Sequence, residues 1–166
     1  MPDRICERED AMPDTIRVVD YYYTTTPDKV GEGARLLGVL RDARANLLVL
    51  SAFPSKRKTQ VDFVPSDSTS FLAAAKAAQI KLSRAKKVFL IQGDDRVGAM
   101  QEILAKLASA KIGVKAIQGV SAGEGRYGAI LWVDQKHVKK AATALGASTP
   151  APSPSTPPFP STAPGW

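Results

Sequence analysis

The stretch Val88-Phe89-Leu90-Ile91-Gln92-Gly93-Asp94-Asp95-Arg96-Val97-Gly98 runs from an apolar strand into a short loop that opens a helix. Its last four residues have an earlier copy, Asp28-Lys29-Val30-Gly31, 67 residues upstream. The register holds past the loop, because Gly33, Leu36, Leu37 and Leu40 fall on Met100, Ile103, Leu104 and Leu107. Both helices therefore present their bulk on matching faces. The chain reads as a repeat, and two copies of one loop can face each other across a pseudo-twofold axis to form a shared site.

Outward from the loops, the first unit begins with β-branched and aromatic residues from Thr15 to Thr24, which predict a strand, and a loop is expected at Thr25-Thr26-Pro27. Helical spacing follows over Gly31 to Ala43, and extended structure resumes at Leu47-Leu48-Val49-Leu50. After the turn Pro54-Ser55-Lys56-Arg57-Lys58, Val61 and Phe63 share one face of a strand from Gln60 to Val64. Ser66-Asp67-Ser68 signals a helix start for Phe71 to Ala78, and Ile80 to Ser83 is read as a short closing strand. The second unit repeats the order: strand Lys87 to Gln92, helix Val97 to Ala110, strand Ile112 to Val120, turn Gly123-Glu124-Gly125, strand Tyr127 to Val133, helix Gln135 to Leu145. It has no obvious fourth strand. The fold class is α+β, two ferredoxin-like βαββαβ units in tandem with their sheets side by side and the helices on one face. The expected divisions are a flexible leader over 1–14, units over 15–84 and 85–146, and a Pro-rich disordered tail over 147–166.

With 166 residues, 44% of them hydrophobic, the chain can build two small cores, each marginal alone and expected to pair within the chain or with a second copy. The net charge of +7 suits anionic ligands, yet only Lys56-Arg57-Lys58 forms a compact basic run, so the cations are read as solvated surface. Cys6 is the only cysteine, which excludes an internal disulfide and a thiolate metal cage. No apolar run is long enough to span a membrane, and a cytoplasmic location is the expectation. Within the tail, Pro157-Pro158-Phe159-Pro160 would suit a proline-reading domain, with a passive linker as the simpler reading.

The repeated loop lies where unpaired backbone N–H groups and the positive end of a helix favour an anionic group. Asp28 and Asp95 would cap the first helical turn or accept hydrogen bonds from an ammonium. Gly31 and Gly98 would leave room for close approach of a ligand or a neighbouring strand. Amides beside a carboxylate make a zwitterion site. This arrangement, strand, Asp-x-x-Gly, helix and a polar residue opening the next strand, twice over, resembles tandem ACT domains from about Thr15 to Leu145. The resemblance implies an amino-acid-sensing regulatory module, with the effector held between one unit's strand-to-helix loop and a neighbouring unit's second strand. By position it implies Asp28, Val30, Gly31, Asp95, Val97 and Gly98 as loop contacts and Asn46 as a polar contact opening a second strand. Val30 and Val97 stand where that family usually has proline, and Gly113 stands where a second Asn is expected.

The expected partners are a small amino-acid effector, a second copy in a homodimer or larger homo-oligomer, and a regulated protein. No catalytic residue, cofactor or metal is expected, because no nucleophile–base pair, P-loop or metal-ligand spacing occurs. His137, beside Lys136 and Lys139, is read as surface. RNA binding is the main alternative, since RNA-recognition modules share the βαββαβ order. Against it, Tyr127, Ala129 and Leu131 share one face while Ile130 and Trp132 take the other, so the aromatic pair two residues apart is missing. A ligand-free assembly module is the third reading.

Overall fold

The computed structural model describes residues 14–149. Cys6, the rest of the leader and the proline motif of the tail lie outside the described residues. The elements are β1 (Thr15–Pro27), α1 (Glu32–Asp42), β2 (Leu47–Ser55), β3 (Lys58–Pro65), α2 (Ser68–Ala77), β4 (Lys86–Asp94), α3 (Ala99–Ser109), β5 (Val114–Gly123) and β6 (Arg126–Val133). A 3-10 turn over Gln135–His137 leads into α4 (Val138–Leu145). The order β-α-β-β-α thus occurs twice, in an α+β fold. All six strands form one antiparallel sheet in the order β2-β3-β1-β4-β6-β5.

Strand β1 joins the halves. Its residues Thr15 to Tyr21 pair with β4, and its residues Tyr22 to Pro27 pair with β3. The loop expected at Thr25-Thr26-Pro27 is therefore strand. The β-branched threonines extend the ladder to Pro27↔Lys58, and Thr24 and Thr26 are buried. In the pairing of β1 with β4, Asp20 lies opposite Lys87, its own counterpart at the 67-residue offset, since 20 + 67 = 87. A pseudo-twofold axis passes between these two residues, and their side chains form an ion pair of 2.6 Å. That pair is exposed and contributes at most about 1 kcal/mol. Val88, Phe89 and Ile91 on β4 have no exposed surface, and each such burial stabilises by about 1.5–3 kcal/mol. Apolar burial holds the join.

The first half of β1 occupies the place beside β4 where a fourth strand of the second half would run, which is why none is needed after α4. Reciprocally, the residues read as a closing strand follow the second half of β1 without forming a regular ladder. Ser83 N donates to Tyr23 O at 2.8 Å, and Thr24 Oγ1 donates to Lys81 O at 2.8 Å. Ser148, assigned to the tail by composition, bridges Arg17 in parallel and exchanges backbone hydrogen bonds with Ile16 and Val18.

All four helices cover one face of the sheet. Ile16 and Val18 pack with Ile103 and Leu107 of α3 and Ala141 of α4. Tyr22 and Phe63 pack with Leu36 and Leu40 of α1 and Phe71 of α2. Tyr21 and Tyr23 turn to the opposite, helix-free face with Val19, Val88 and Leu90. That face curls over itself. Ser51 on β2 donates to Gln118 on β5 at 3.1 Å, although these are the two outermost strands of the sheet. They too are counterparts, since 51 + 67 = 118, so the same axis emerges there.

Helix α2 starts as its sequence signal predicts, with Asp67 accepting from the amides of Thr69 and Ser70 at 3.3 and 2.8 Å. The Ser70 hydroxyl and amide hold the Asp67 carboxyl below the usual carboxylate range. A carboxyl depressed in the folded state stabilises at neutral pH and loses that contribution as pH falls through its folded value. Asp67→Ala should therefore lower the melting temperature at pH 7, with the deficit closing in strong acid, as calorimetric melts across pH will show.

Candidate functional site

Each strand-to-helix corner is shaped by a glycine in left-handed backbone. Gly31 has φ 90° and Gly98 has φ 88°, and each forms the N-cap of its helix without a side-chain cap bond. One expectation changes here. Asp28 and Asp95 do not cap the helices, because the glycine occupies the cap position. Within the chain no neighbouring strand crowds the glycines, since a Cβ at either position would meet nothing within 4 Å. They are needed for their positive φ, which costs an L side chain about 1–2 kcal/mol. Val30 and Val97, just before them, are fully exposed.

The corners do not face each other within the chain. β1 and β4 are antiparallel with Thr15 opposite Gln92, so the corner after Pro27 and the corner after Asp94 lie at opposite ends of the ribbon. The thirteen strand residues from Thr15 to Pro27 separate them by roughly 40 Å at about 3.3 Å per step. The same reasoning separates Asn46 from Asp28, Val30 and Gly31. Asn46 precedes β2 at the end where Leu47 pairs with Pro65, while the corner adjoins the other end, where Pro27 pairs with Lys58. Its carbonyl accepts from the Ser66 amide and hydroxyl, so its backbone holds a turn.

The two corners also differ in what surrounds them. Beside the first lies a small cavity of about 110 Å³, its wall largely apolar with Leu36, Leu37, Leu50 and Ala52. Beside the second lies an open cleft of about 330 Å³ that Asp95, Arg96, Gly98, Met100, Ser121 and Tyr127 help to line. Asp95 Oδ2 accepts from the Ser121 hydroxyl at 2.8 Å, and the Asp95 amide donates to Gly125 O at 2.7 Å. Arg96 forks between Asp14, at 3.3 Å, and Glu102. The Tyr127 hydroxyl is buried and makes no hydrogen bond of good geometry. Burial, with the nearby Asp14 carboxylate adding to it, pushes the Tyr127 phenol up to about 12. Gly93 makes room for this group, because a Cβ there would collide with the Asp14 carboxylate and the Tyr127 ring.

Sequence reading missed Arg96, Ser121 and Tyr127, which line the cleft with Asp95. The first was visible as the arginine inside the repeated loop, whereas Ser121 and Tyr127 reach the corner only through the pairing Ser121↔Tyr127 between β5 and β6. Exposed apolar residues also recur at the repeat offset. Leu37 and Leu104, Leu50 and Ile117, and Phe53 and Val120 are matched pairs on α1 and α3 or on the outermost strands β2 and β5. Among the described residues no cluster of His, Cys, Asp and Glu could hold a metal ion, and no helix is long and apolar enough to cross a membrane.

No protein-family model matches the sequence, and no curated protein matches it. Solved structures do match. Protein BT0572 from Bacteroides thetaiotaomicron superposes with a TM-score of 0.69 at 16% identity, over 79% of this chain and 88% of that one. The ligand-free regulatory subunit of aspartate kinase from Thermus thermophilus superposes with a TM-score of 0.56 at 14% identity, over 82% of this chain and 96% of that one. The chain has an ACT-type fold. A structure of the aspartokinase alpha and beta subunits, at a TM-score of 0.54 and 21% identity over 81% of this chain and 95% of that one, shares it. At these identities the likeness is one of fold, and in this ACT-type fold the repeated loops become the two strand-to-helix corners.

If the glycines serve backbone geometry, Gly31→Ala and Gly98→Ala should each lower the unfolding free energy by about 1 kcal/mol. The two losses should add in the double variant, because the sites are far apart and share no partner. Urea titrations of the single and double variants measure this directly.

Proposed function

We propose that this protein is a non-catalytic regulatory module of two tandem ACT-like units, one built over 15–84 and one over 85–146, that binds a small amino acid at its second corner. The observation that carries this reading is the open cleft beside Gly98. It combines a carboxylate, Asp95, the N-terminal amides of α3 and a buried phenol, Tyr127, whose contacts with Asp14 and Arg96 fall short of good hydrogen-bond geometry. A buried polar group without a well-formed hydrogen bond costs up to about 1–3 kcal/mol, part of which a ligand able to pair with it recovers on binding. The ligand carboxylate would take the first-turn amides of α3, and its ammonium would be held by Asp95 with Ser121. Gly98 lines this cleft, and Val97 beside it would be a loop contact. Asp28, Val30 and Gly31 would be the contacts of its poorer twin, beside a cavity whose wall is largely aliphatic.

The likeness to regulatory subunits of aspartate kinase supports a regulatory role for the same fold. The matched exposed side chains on α1, α3, β2 and β5 support a homo-oligomer, in which a second copy would cover one or both edges and complete the cleft with its own second strand. Asn46 would enter a site only in this way. Effector binding would then favour one association over another and alter the surface offered to a regulated protein. A cytoplasmic setting fits this role.

The RNA-binding alternative needs an open sheet face on which bases can stack. Here Tyr127, Ala129 and Leu131 lie beneath the helices, and the opposite face is curled over by the Ser51–Gln118 contact. The matched apolar edges suit a ligand-free assembly module equally well, so the ligand decides.

A thermal-shift panel of the amino acids is the test, since a ligand at 100 times its dissociation constant stabilises by about 2.7 kcal/mol. A hit whose calorimetric affinity falls several-fold in Tyr127→Phe, while the ligand-free variant keeps its stability, supports the corner site. A flat panel, with sedimentation showing a stable oligomer, would leave assembly as the function.

A further inference from the structure

A second cleft, of about 530 Å³, lies on the helix-free face where the curled ends of the sheet approach each other. Its volume falls within the range of about 300–1,000 Å³ usual for small-molecule sites. Trp132 of β6 and Tyr21 of β1 form part of its wall as an edge-to-face pair with ring centroids 6.2 Å apart. Asp62 of β3, with 6% of its surface exposed, also lines it, and so do Lys86 and Lys115.

The pseudo-twofold axis provides an internal control for these residues. Register places each of them opposite a counterpart in the other half, at an offset of 67 between β1 and β4 or β2 and β5, and of 68 between β3 and β6, since Phe63 and Leu131 hold matching places. The counterpart of Tyr21 is Val88, that of Lys86 is Val19, and that of Lys115 is Leu48. The counterparts of Asp62 and Trp132 are Ile130 and Val64. On one side of the axis the backbone is thus filled with aliphatic side chains, and Val19, Val64, Val88 and Ile130 are buried together there. On the other side, with residues again drawn from both halves, it carries a carboxylate, two ammonium groups and two aromatic rings. Tyr21 and Trp132 pack with the same apolar cluster, whereas packing does not require the carboxylate or the ammonium groups.

Asp62 is the most expensive member. Its Oδ1 accepts from the neutral Gln60 amide at 2.8 Å. Lys86 acts on it from a distance, its ammonium lying 4.9 Å from the Tyr23 ring centroid. Burial pushes the carboxyl above the usual carboxylate range, against the smaller opposing effects of Gln60 and Lys86. A buried acid without a close cation destabilises the folded state at neutral pH and invites a cationic ligand group. The lining charges, Asp62 and Asp134 against Lys86 and Lys115, sum to zero, which suits a zwitterion over a polyanion or a polycation.

We propose that this cleft binds a small aromatic zwitterion, with its ammonium on Asp62, its ring against Trp132 and Tyr21, and its carboxylate toward Lys115. The site stands apart from the corner at Gly98 and does not depend on it. Trp132 makes a built-in reporter, because the chain has only 2 tryptophans and Trp166→Phe removes the other. In that background L-phenylalanine should change Trp132 fluorescence saturably. Phenethylamine and 3-phenylpropanoate, each lacking one charged end, should bind several-fold more weakly.

Asp62→Asn should weaken L-phenylalanine by about tenfold or more, the scale of one charge-assisted hydrogen bond. The same variant should raise the melting temperature of the ligand-free protein at neutral pH. A carboxyl raised in the folded state loses stability as pH climbs through its folded value, so the gain should vanish in acid, where Asp62 is neutral. A merely structural Asp62 would give the opposite result, a loss of stability on substitution. Lys115→Gln gives a second, independent loss of affinity. Absence of saturation by about 10 mM L-phenylalanine overturns the proposal, as does unchanged affinity in Asp62→Asn. If the signal falls with Tyr127→Phe and survives Asp62→Asn, the ligand sits at the corner and the cleft assignment is wrong.

Discussion

The antiparallel pairing of β1 with β4 is the constraint on which the rest of the molecule depends. Its register sets Asp20 against Lys87 and so fixes a twofold relation between the halves. From that relation follow the remote corners, the outer positions of β2 and β5, and the meeting of Ser51 with Gln118 where the sheet curls. The ion pair marks the axis but does not hold it. Burial of Val88, Phe89 and Ile91 against β1 and its neighbours outweighs an exposed pair several times over.

Symmetry of backbone has not kept symmetry of chemistry. The corner at Gly31 faces a largely aliphatic wall, while the corner at Gly98 gathers Arg96, Ser121 and Tyr127. On the helix-free face the imbalance runs across the axis, with Asp62, Lys86 and Lys115 on one side and their counterparts Ile130, Val19 and Leu48 on the other. Differences of this kind decide where a ligand is recognised, since the backbone at the two places is nearly the same.

Much of the fold was legible because it is local. Periodicity found the helices and the six strands, though it also read Ile80 to Ser83 as a strand, and the repeated loop announced both corners. Element ends were less legible, and Thr25 to Pro27 continue β1 because a partner strand far along the chain offers them hydrogen bonds. The site was harder to read for the same reason. Asp95 and Gly98 stood out in the loop, but Ser121 and Tyr127 join them only through strand register, which no local pattern reports. Asn46 opens β2 at the end away from the corner of its own half. Asp62 drew no attention, since a single acid in an alternating strand looks like solvent-facing surface until the sheet is seen to close over it.

The shared first strand ties the fates of the two halves together. A polypeptide stopped after Ser83 would offer the inner edge of Thr15 to Tyr21 to whatever strand it met first. One begun at Arg84 would leave Phe89 and Ile91 without Ile16 and Val18 beside them. Melting of either half would strip cover from the other, so heat or denaturant should meet one cooperative unit rather than two beads on a string. What began as a repeat in the sequence should behave, through thirteen residues of shared strand, as a single folding body.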